Sequence, residues 1–319
     1  MKSISAEQKE FIDALVAEAA GMPIAPAIYE KDLLITEILR AVAEQPFAGA
    51  QLLFAGGTGL SKGFGLLNRM SEDIDFKVRV DGLPLSHAAR RKLLSQVKTS
   101  LVQILGSLGF TAIAVNANSG NEVVGLQAGY RACYPMPDGI RDFIAIDLNA
   151  RNISYTTSPR VMCSLLDKQL VAFGRQGNAF EIHCVLPSLT AAEKVLALLR
   201  RLEQGESGLL CDPFDPALVR HLYDIWQVQQ SAFADIDASK QHFQKALVSD
   251  IEAYGRQFPG FAENPQHVLM RGLERLADHP GCRENYRSTL ANLIYADDLV
   301  DYTVAYKAFS QFTRELLAA

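Results

Sequence analysis

The features that best predict the fold lie in AGGTGLSKGFGLLNRMSEDIDF, residues 55–76. It follows the apolar run at residues 52–54, so the sequence predicts a buried strand that ends in a tight turn at Gly56 and Gly57. Glycines at such a turn let backbone amides approach phosphate groups that a side chain would block. A short amphipathic helix is predicted after the turn, and two aspartates close the stretch.

These two aspartates, Asp73 and Asp75, bracket Ile74. Because alternate side chains of a strand share one face, both carboxylates are expected to point the same way while Ile74 faces the core. Adjacent carboxylates repel each other unless a cation lies between them, and hard oxygen ligands suit Mg²⁺ that carries a nucleoside triphosphate. The alternative for the tripeptide alone is a pair of solvated surface residues.

The glycine turn does not match either of two common phosphate loops. A P-loop requires GxxxxGK[ST], but Ser61 stands where its second glycine belongs and Gly63 stands where its serine or threonine belongs. The dinucleotide pattern GxGxxG fails because Lys62 occupies the third glycine position. The combination of the turn with the aspartate pair, rather than the turn alone, therefore indicates a metal-dependent phosphoryl-transfer site.

A third carboxylate, Asp147, occurs in the predicted strand RDFIAIDLNA, residues 141–150. One face of this strand is apolar, with Ile144, Ile146 and Leu148, so Asp147 lies on the opposite face. Three carboxylates on neighbouring strands would supply what two-metal nucleotidyl transfer needs. The alternative for Asp147 is an ordinary acid at the end of a strand.

Composition sets the broad class. The chain has 319 residues, 49% hydrophobic and 21% charged, as expected for one large or two moderate globular domains. It lacks an apolar run of the roughly 18 residues that span a bilayer, and acids interrupt its N-terminal segment, so we expect a cytoplasmic protein without membrane contact. The net charge of −5 argues against a uniformly basic nucleic-acid coat but leaves room for a local basic groove. Its five cysteines contain no CxxC pair, so neither a disulfide framework nor a zinc site is indicated.

The pattern changes from strand-rich to helical near Pro187. This change predicts an α/β nucleotide-binding domain over residues 1–186 and a helical domain over residues 187–319. In the first domain, helices are predicted over residues 6–20, 27–44 and 86–110, and further strands over residues 111–116 and 122–132. The turn-rich segment GESGLLCDPFDP, residues 205–216, is predicted as a loop near the active-site cleft.

Four segments together resemble the AbiEii/AbiGii toxin family of nucleotidyltransferases, within the DNA polymerase β-like superfamily. They are EKDLLITEILRAV at residues 30–42, the glycine and aspartate stretch at 56–76, TAAEKVLALLRR at 190–201 and RHLYDIWQV at 220–228. The resemblance covers roughly residues 26–230 in the family's order. It implies a polymerase β-like domain, with a mixed sheet and flanking helices, followed by a C-terminal helical domain.

The resemblance also implies roles for individual residues. Asp73 and Asp75 would hold Mg²⁺, with Asp147 as the candidate third ligand. The phosphates of a bound NTP would lie against the turn that Gly56 opens, lined by Gly57, Thr58, Ser61 and Lys62. Lys194 would neutralise triphosphate charge, and Asp224 would position a basic or substrate group in the cleft.

Read without the family, the residues of the helical half leave alternatives open. Lys194 could be a surface lysine that extends its amine to solvent, and Asp224 could pair with Arg220, four residues earlier. A basic rim for RNA could form from residues 90–92 together with Arg200 and Arg201, although exposed helix faces often carry such residues.

The function that the sequence predicts is a Mg²⁺-dependent nucleotidyltransferase that moves NMP from an NTP to an acceptor hydroxyl. By resemblance it would be the toxin of a bacterial toxin–antitoxin pair linked to abortive phage infection, with a cognate antitoxin and the 3′ end of tRNA as acceptor. Two alternatives remain within enzymes, transfer to an antibiotic-type small molecule and transfer to a protein side chain. An inactive scaffold that binds a partner is the alternative of another class.

Overall fold

The computed structural model describes residues 1–18, 24–47, 49–82, 85–151, 153–210, 215–291, 293–294 and 299–318. The chain divides into two compact units. The first comprises Met1–Asn152 and Thr157–Val185, and the second comprises Ile153–Thr156 and Leu186–Ala319. The second unit thus includes a short segment that lies before the boundary predicted after residue 186.

The described part of the first unit contains one seven-stranded mixed sheet with the order β3-β4-β5-β2-β1-β7-β6. Two strand pairs are parallel, β1 with β7 and β2 with β5, and the other four are antiparallel. This confirms the predicted α/β class with a mixed sheet. The strands are β1 Ala50–Ala55, β2 Asp73–Val80, β3 Thr111–Ala117, β4 Val123–Gly129, β5 Phe143–Asn149, β6 Thr157–Met162 and β7 Phe180–Val185.

Strand register sets the positions of the acidic side chains. Ala55 of β1 pairs with Asp75 of β2, and Asp75 pairs in turn with Asp147 of β5. Since Asp73 precedes Asp75 by two residues, all three aspartates share one face of the sheet. The opposite face of these strands is apolar and buried, with Ile74, Phe76, Ile144, Ile146 and Leu148.

The first unit has five helices in its described part, and four of them are longer than three residues: α1 Ala6–Glu18, α2 Pro26–Glu44, α4 His87–Ser107 and α5 Leu165–Ala172. Local sequence explains where two of them begin. The hydroxyl of Ser86 caps α4 by accepting a hydrogen bond from the backbone N–H of Ala89. Ser164 and Asp167 form a capping box at the start of α5. Helix α2 is buried over most of its surface, including charged positions.

All regular elements in the described part of the second unit are helices. Among the described residues, no helix combines the length and the apolar character needed to cross a membrane. Residues 211–214 of the predicted cleft loop lie outside the described residues. The unit contains a 3-10 turn at Pro216–Val219 and the helices α6 Pro187–Glu206, α7 Arg220–Gln229, α8 Ile236–Tyr254, α9 Pro259–Glu263, α10 Pro265–Asp278, α11 Pro280–Ala291 and α12 Tyr302–Leu317.

Candidate active site

The turn after β1 brings the backbone directly against an acidic side chain. Gly56 has a φ of +71°, a conformation that favours glycine, and it opens the three-residue helix α3, Gly56–Thr58. A Cβ atom at Gly56 would lie 1.8 Å from Oδ2 of Asp75. Glycine is therefore required here both for the backbone conformation and for the position of the Asp75 carboxylate. A π-helical turn, Gly59–Gly63, follows α3.

The three aspartates predicted as metal ligands lie together on β2 and β5. Asp75 and Asp147 are cross-strand neighbours, and Asp73 is one position further along the same face. Burial by surrounding groups raises the pKa of Asp147, as does the negative charge of Asp73, while Arg141 opposes both. Gly125 of β4 faces Asp147, and a Cβ there would lie 3.3 Å from its Oδ1 atom. This face thus presents three carboxylates on one side of the sheet, with Asp75 and Asp147 directly opposite each other.

Sequence reasoning missed Arg141, which lies at this acidic face. Its guanidinium binds Asp73, and its Nε atom lies 3.1 Å from Oε1 of Glu72. Its backbone N–H also donates to Oε2 of Glu72 at 3.0 Å. The alternation that placed Asp147 on one face of the strand places residue 141 on the same face, so this signal could have found it. Within the described ranges, no three His, Cys, Asp or Glu side chains are grouped as a ready metal site, and Asp73 is engaged with Arg141.

A buried ion pair binds the backbone of Arg141. Lys31 of α2 is completely buried, and its Nζ atom donates to Oε2 of Glu72 and to the carbonyl of Arg141, each at 2.5 Å. Burial lowers the pKa of Lys31, although the charge of Glu72 opposes that shift. Burial would raise the pKa of Glu72, but the charges of Lys31 and Arg141 outweigh it, so the pKa is lowered. Lys31 and Glu72 thus form a buried ion pair in which both side chains also bind the backbone of Arg141.

The residues predicted to line the triphosphate have contacts within the protein. The buried hydroxyl of Thr58 donates to the carbonyl of Asp73, which ties the turn to β2. The Nζ atom of Lys62 lies 2.5 Å from Oδ1 of Asp32. Gly57 approaches Ser71, since a Cβ at Gly57 would lie 2.7 Å from its Oγ atom. Ser61 is partly exposed. Their roles toward phosphate stay predictions.

In the second unit, Lys194 and Asp224 are paired with each other. The Nζ atom of Lys194 lies 2.9 Å from Oδ2 of Asp224 and 3.3 Å from Nδ1 of His221. Asp224 is fully buried and Lys194 is 9% exposed, so Lys194 is not the surface lysine that the residues alone allowed. Arg200 is buried as well and pairs with Asp250 at 2.8 Å, which removes it from the suggested basic rim.

Comparison with known proteins places the chain in a family. A family model described as "Nucleotidyl transferase AbiEii toxin, Type IV TA system" matches residues 37–313. Among solved structures, the fold is similar to MenT4, a nucleotidyltransferase toxin from Mycobacterium tuberculosis H37Rv, with a TM-score of 0.52 and 13% sequence identity. That similarity covers 97% of this chain and 89% of MenT4. Among curated proteins, none matches this chain significantly.

Proposed function

The chain belongs to the AbiEii family of nucleotidyltransferase toxins of type IV toxin–antitoxin systems, and we propose that it transfers NMP from a Mg²⁺-bound NTP to the 3′ end of tRNA. In this reaction the acceptor hydroxyl oxygen forms a bond to the α-phosphorus. The bond from that phosphorus to the bridging oxygen breaks, and pyrophosphate leaves. The hydroxyl proton is released as the new bond forms.

The observation that carries this proposal is the acidic face next to the Gly56 turn. Asp73, Asp75 and Asp147 offer only carboxylate oxygens, the donor type that Mg²⁺ prefers. The carboxylate of Asp75 lies against Gly56, which has no side chain to displace it. Burial raises the pKa of Asp147, the negative charge of Asp73 adds to that shift, and a cation bound beside it would favour its ionised form. When bound there, Mg²⁺ would offset the charge of the phosphates and favour ionisation of the acceptor hydroxyl.

The other proposed roles belong to residues of this chain. The turn at Gly56 and Gly57, with Thr58, Ser61 and Lys62, would hold the triphosphate. Lys194 would offset negative charge on it, and Asp224 would fix the ammonium group of Lys194, since the two lie 2.9 Å apart. These groups act by positioning and by electrostatics, the main contributions to catalysis of phosphoryl transfer.

The biological consequence follows from the acceptor. A tRNA with a blocked or extended 3′ end could not be charged with an amino acid, so protein synthesis would stop. The family implies an antitoxin partner. Within this proposal, a role in phage defence by abortive infection requires the antitoxin to restrain the toxin until infection.

Labelling experiments test the proposal directly. The protein is incubated with Mg²⁺ and each ribonucleoside triphosphate labelled at the α-phosphate, together with total tRNA, cell protein or candidate antibiotics. We expect label on tRNA, lost with a chelator and lost in Asp75→Asn, but kept in the control Asp81→Asn, which changes an exposed acid just after β2. Label on protein or antibiotic only would replace the tRNA acceptor, and full labelling by Asp75→Asn would refute the metal site.

A further inference from the structure

A basic groove lies in the first unit between α4 and the hairpin that joins β3 to β4. Its volume is about 930 Å³, and its cationic lining residues are Arg91, Lys92 and Lys98. The other lining side chains are small or polar, among them Gln96, Thr99 and Asn118, and no acidic residue of the described chain lines it. We call this feature the α4 groove.

The charge of the α4 groove is local rather than a property of the whole chain. The protein carries a net charge of −5, yet the groove gathers three cations without an acid. Lys98 is held in place, because its Nζ atom donates to Oδ1 of Asn121 at 2.7 Å. The nearest acid along the hairpin, Glu122, lies 3.4 Å from Nε of Arg90. The groove therefore presents positive potential to a partner.

The lining chemistry matches a nucleic-acid backbone better than a protein surface. Lysine and arginine neutralise phosphates, while hydroxyl and amide side chains bind phosphate and sugar oxygens. A protein interface usually has an apolar or aromatic centre, but among the described residues only Ala88 and Ala117 are apolar in this lining. Since aromatic side chains are also absent from the lining, stacking on bases is not expected. The groove is suited to contacts that are independent of sequence.

Strand register relates the groove to the acidic face. Gly125 of β4 pairs with Asp147, and Asn121 at the groove comes four residues before Gly125. Only Val123–Gly125 of this stretch belongs to β4, which accounts for about 7 Å at ~3.4 Å per residue, and Asn121 lies in the turn before the strand. An RNA strand that reaches both places must extend beyond its terminal nucleotide, since a stacked strand advances about 3.4 Å per nucleotide.

We propose that the α4 groove binds the phosphate backbone of the acceptor RNA, upstream of its reacting 3′ end. This inference rests on the proposed function, because it takes RNA as the acceptor. The groove contributes affinity without selecting bases, and the acidic face carries out the chemistry.

The test compares two triple variants that remove equal charge. Arg91→Gln/Lys92→Gln/Lys98→Gln changes the groove, and Lys245→Gln/Arg256→Gln/Lys307→Gln changes one arginine and two lysines at exposed positions of the second unit. Fluorescence anisotropy measures tRNA affinity between about 50 mM and 200 mM salt. Calorimetry with Mg²⁺ and NTP checks that the nucleotide site of each variant is intact.

We expect the groove variant to bind tRNA about tenfold more weakly at low salt and its log–log salt slope to fall by about 2, since each phosphate contact contributes about 0.7. The control variant should match the wild type.

An unchanged salt slope and affinity in the groove variant would overturn the groove proposal, and so would an equal loss in the control variant. If an acidic protein rather than RNA binds in the groove, the proposal is also wrong. The proposed function fails separately: wild-type protein that does not label tRNA would refute it, while the salt slopes still decide whether the groove binds RNA.

Discussion

Replacing Gly56 by alanine should damage the candidate active site more than its small size suggests. An alanine there must adopt a φ of +71°, which costs about 1–2 kcal/mol for an L-residue. Its Cβ atom would also lie 1.8 Å from Oδ2, 2.6 Å from Cγ and 2.9 Å from Cβ of Asp75. Since the Cβ of Asp75 is fixed to β2, turning the carboxylate to another rotamer cannot remove the whole clash. Either the strand or the turn must move.

Gly65, nine residues after Gly56, provides a control for backbone strain. Gly65 has a similar φ of +65°, but a Cβ there would meet no atom within 4 Å. We therefore expect Gly65→Ala to lower the free energy of unfolding by about 1 kcal/mol, from strain alone. We expect Gly56→Ala to lower it by about 2–4 kcal/mol, because the displaced Asp75 adds to the same strain.

Two measurements separate these effects. Urea unfolding followed by circular dichroism gives the free energy of unfolding of each variant, and calorimetry gives the affinity for Mn²⁺ with NTP. Gly56→Ala should lose most of that affinity, whereas Gly65→Ala should keep it. The reasoning is refuted if the two variants are equally stable, or if Gly56→Ala binds metal and nucleotide as the wild type does.

Two further predictions concern buried groups. Lys31→Met leaves Glu72 buried with less positive charge beside it, so the free energy of unfolding, measured in urea, should fall by about 3–5 kcal/mol. The double variant Lys31→Met/Glu72→Gln should recover most of this loss. A double variant no more stable than the single variant would contradict the pairing. Burial raises the pKa of the Cys184 thiol from 9.0 to about 12, so the folded state holds this proton more tightly than the unfolded chain does. The free energy of unfolding should therefore decrease as the pH rises above about 9, and this decrease should be less steep in Cys184→Ala. If unfolding curves at a series of pH values show the same decrease in both proteins, the raised pKa of Cys184 is contradicted.

Much of the first unit could be predicted from sequence because its strands alternate cleanly. The apolar face of β5 and the alternation around Ile74 placed Asp73, Asp75 and Asp147 on one face, and the register confirms that placement. Helices α2 and α4 were predicted from their periodicity within a few residues of their ends. Strands β6 and β7 were missed, since buried and exposed positions do not alternate cleanly along either of them.

The partners of charged side chains could not be predicted in the same way. Lys62 follows a glycine turn and reads as a phosphate ligand, but its contact in the structure is Asp32, thirty residues earlier in the chain. Lys194 and Asp224 belong to separate motifs, and their pairing depends on how α6 and α7 pack. Such contacts arise from tertiary structure, so a single sequence contains no local signal for them.

Three consecutive charged residues of α2 show what these contacts achieve. Glu30, Lys31 and Asp32 are all buried, although successive residues of a helix point in different directions. The carboxylate of Glu30 accepts a hydrogen bond of 2.8 Å from the backbone N–H of Cys133, which lies in the segment before β5. Lys31 binds Glu72 beside β2, and Asp32 binds Lys62 in the glycine turn. Buried charges contribute little net stability compared with apolar packing, so stability alone does not explain three of them in a row. Each charge instead fixes one of the three segments from which the acidic face and the turn are built. We therefore interpret α2 as the element that holds these segments in register, so that the carboxylates and the phosphate turn meet at one place.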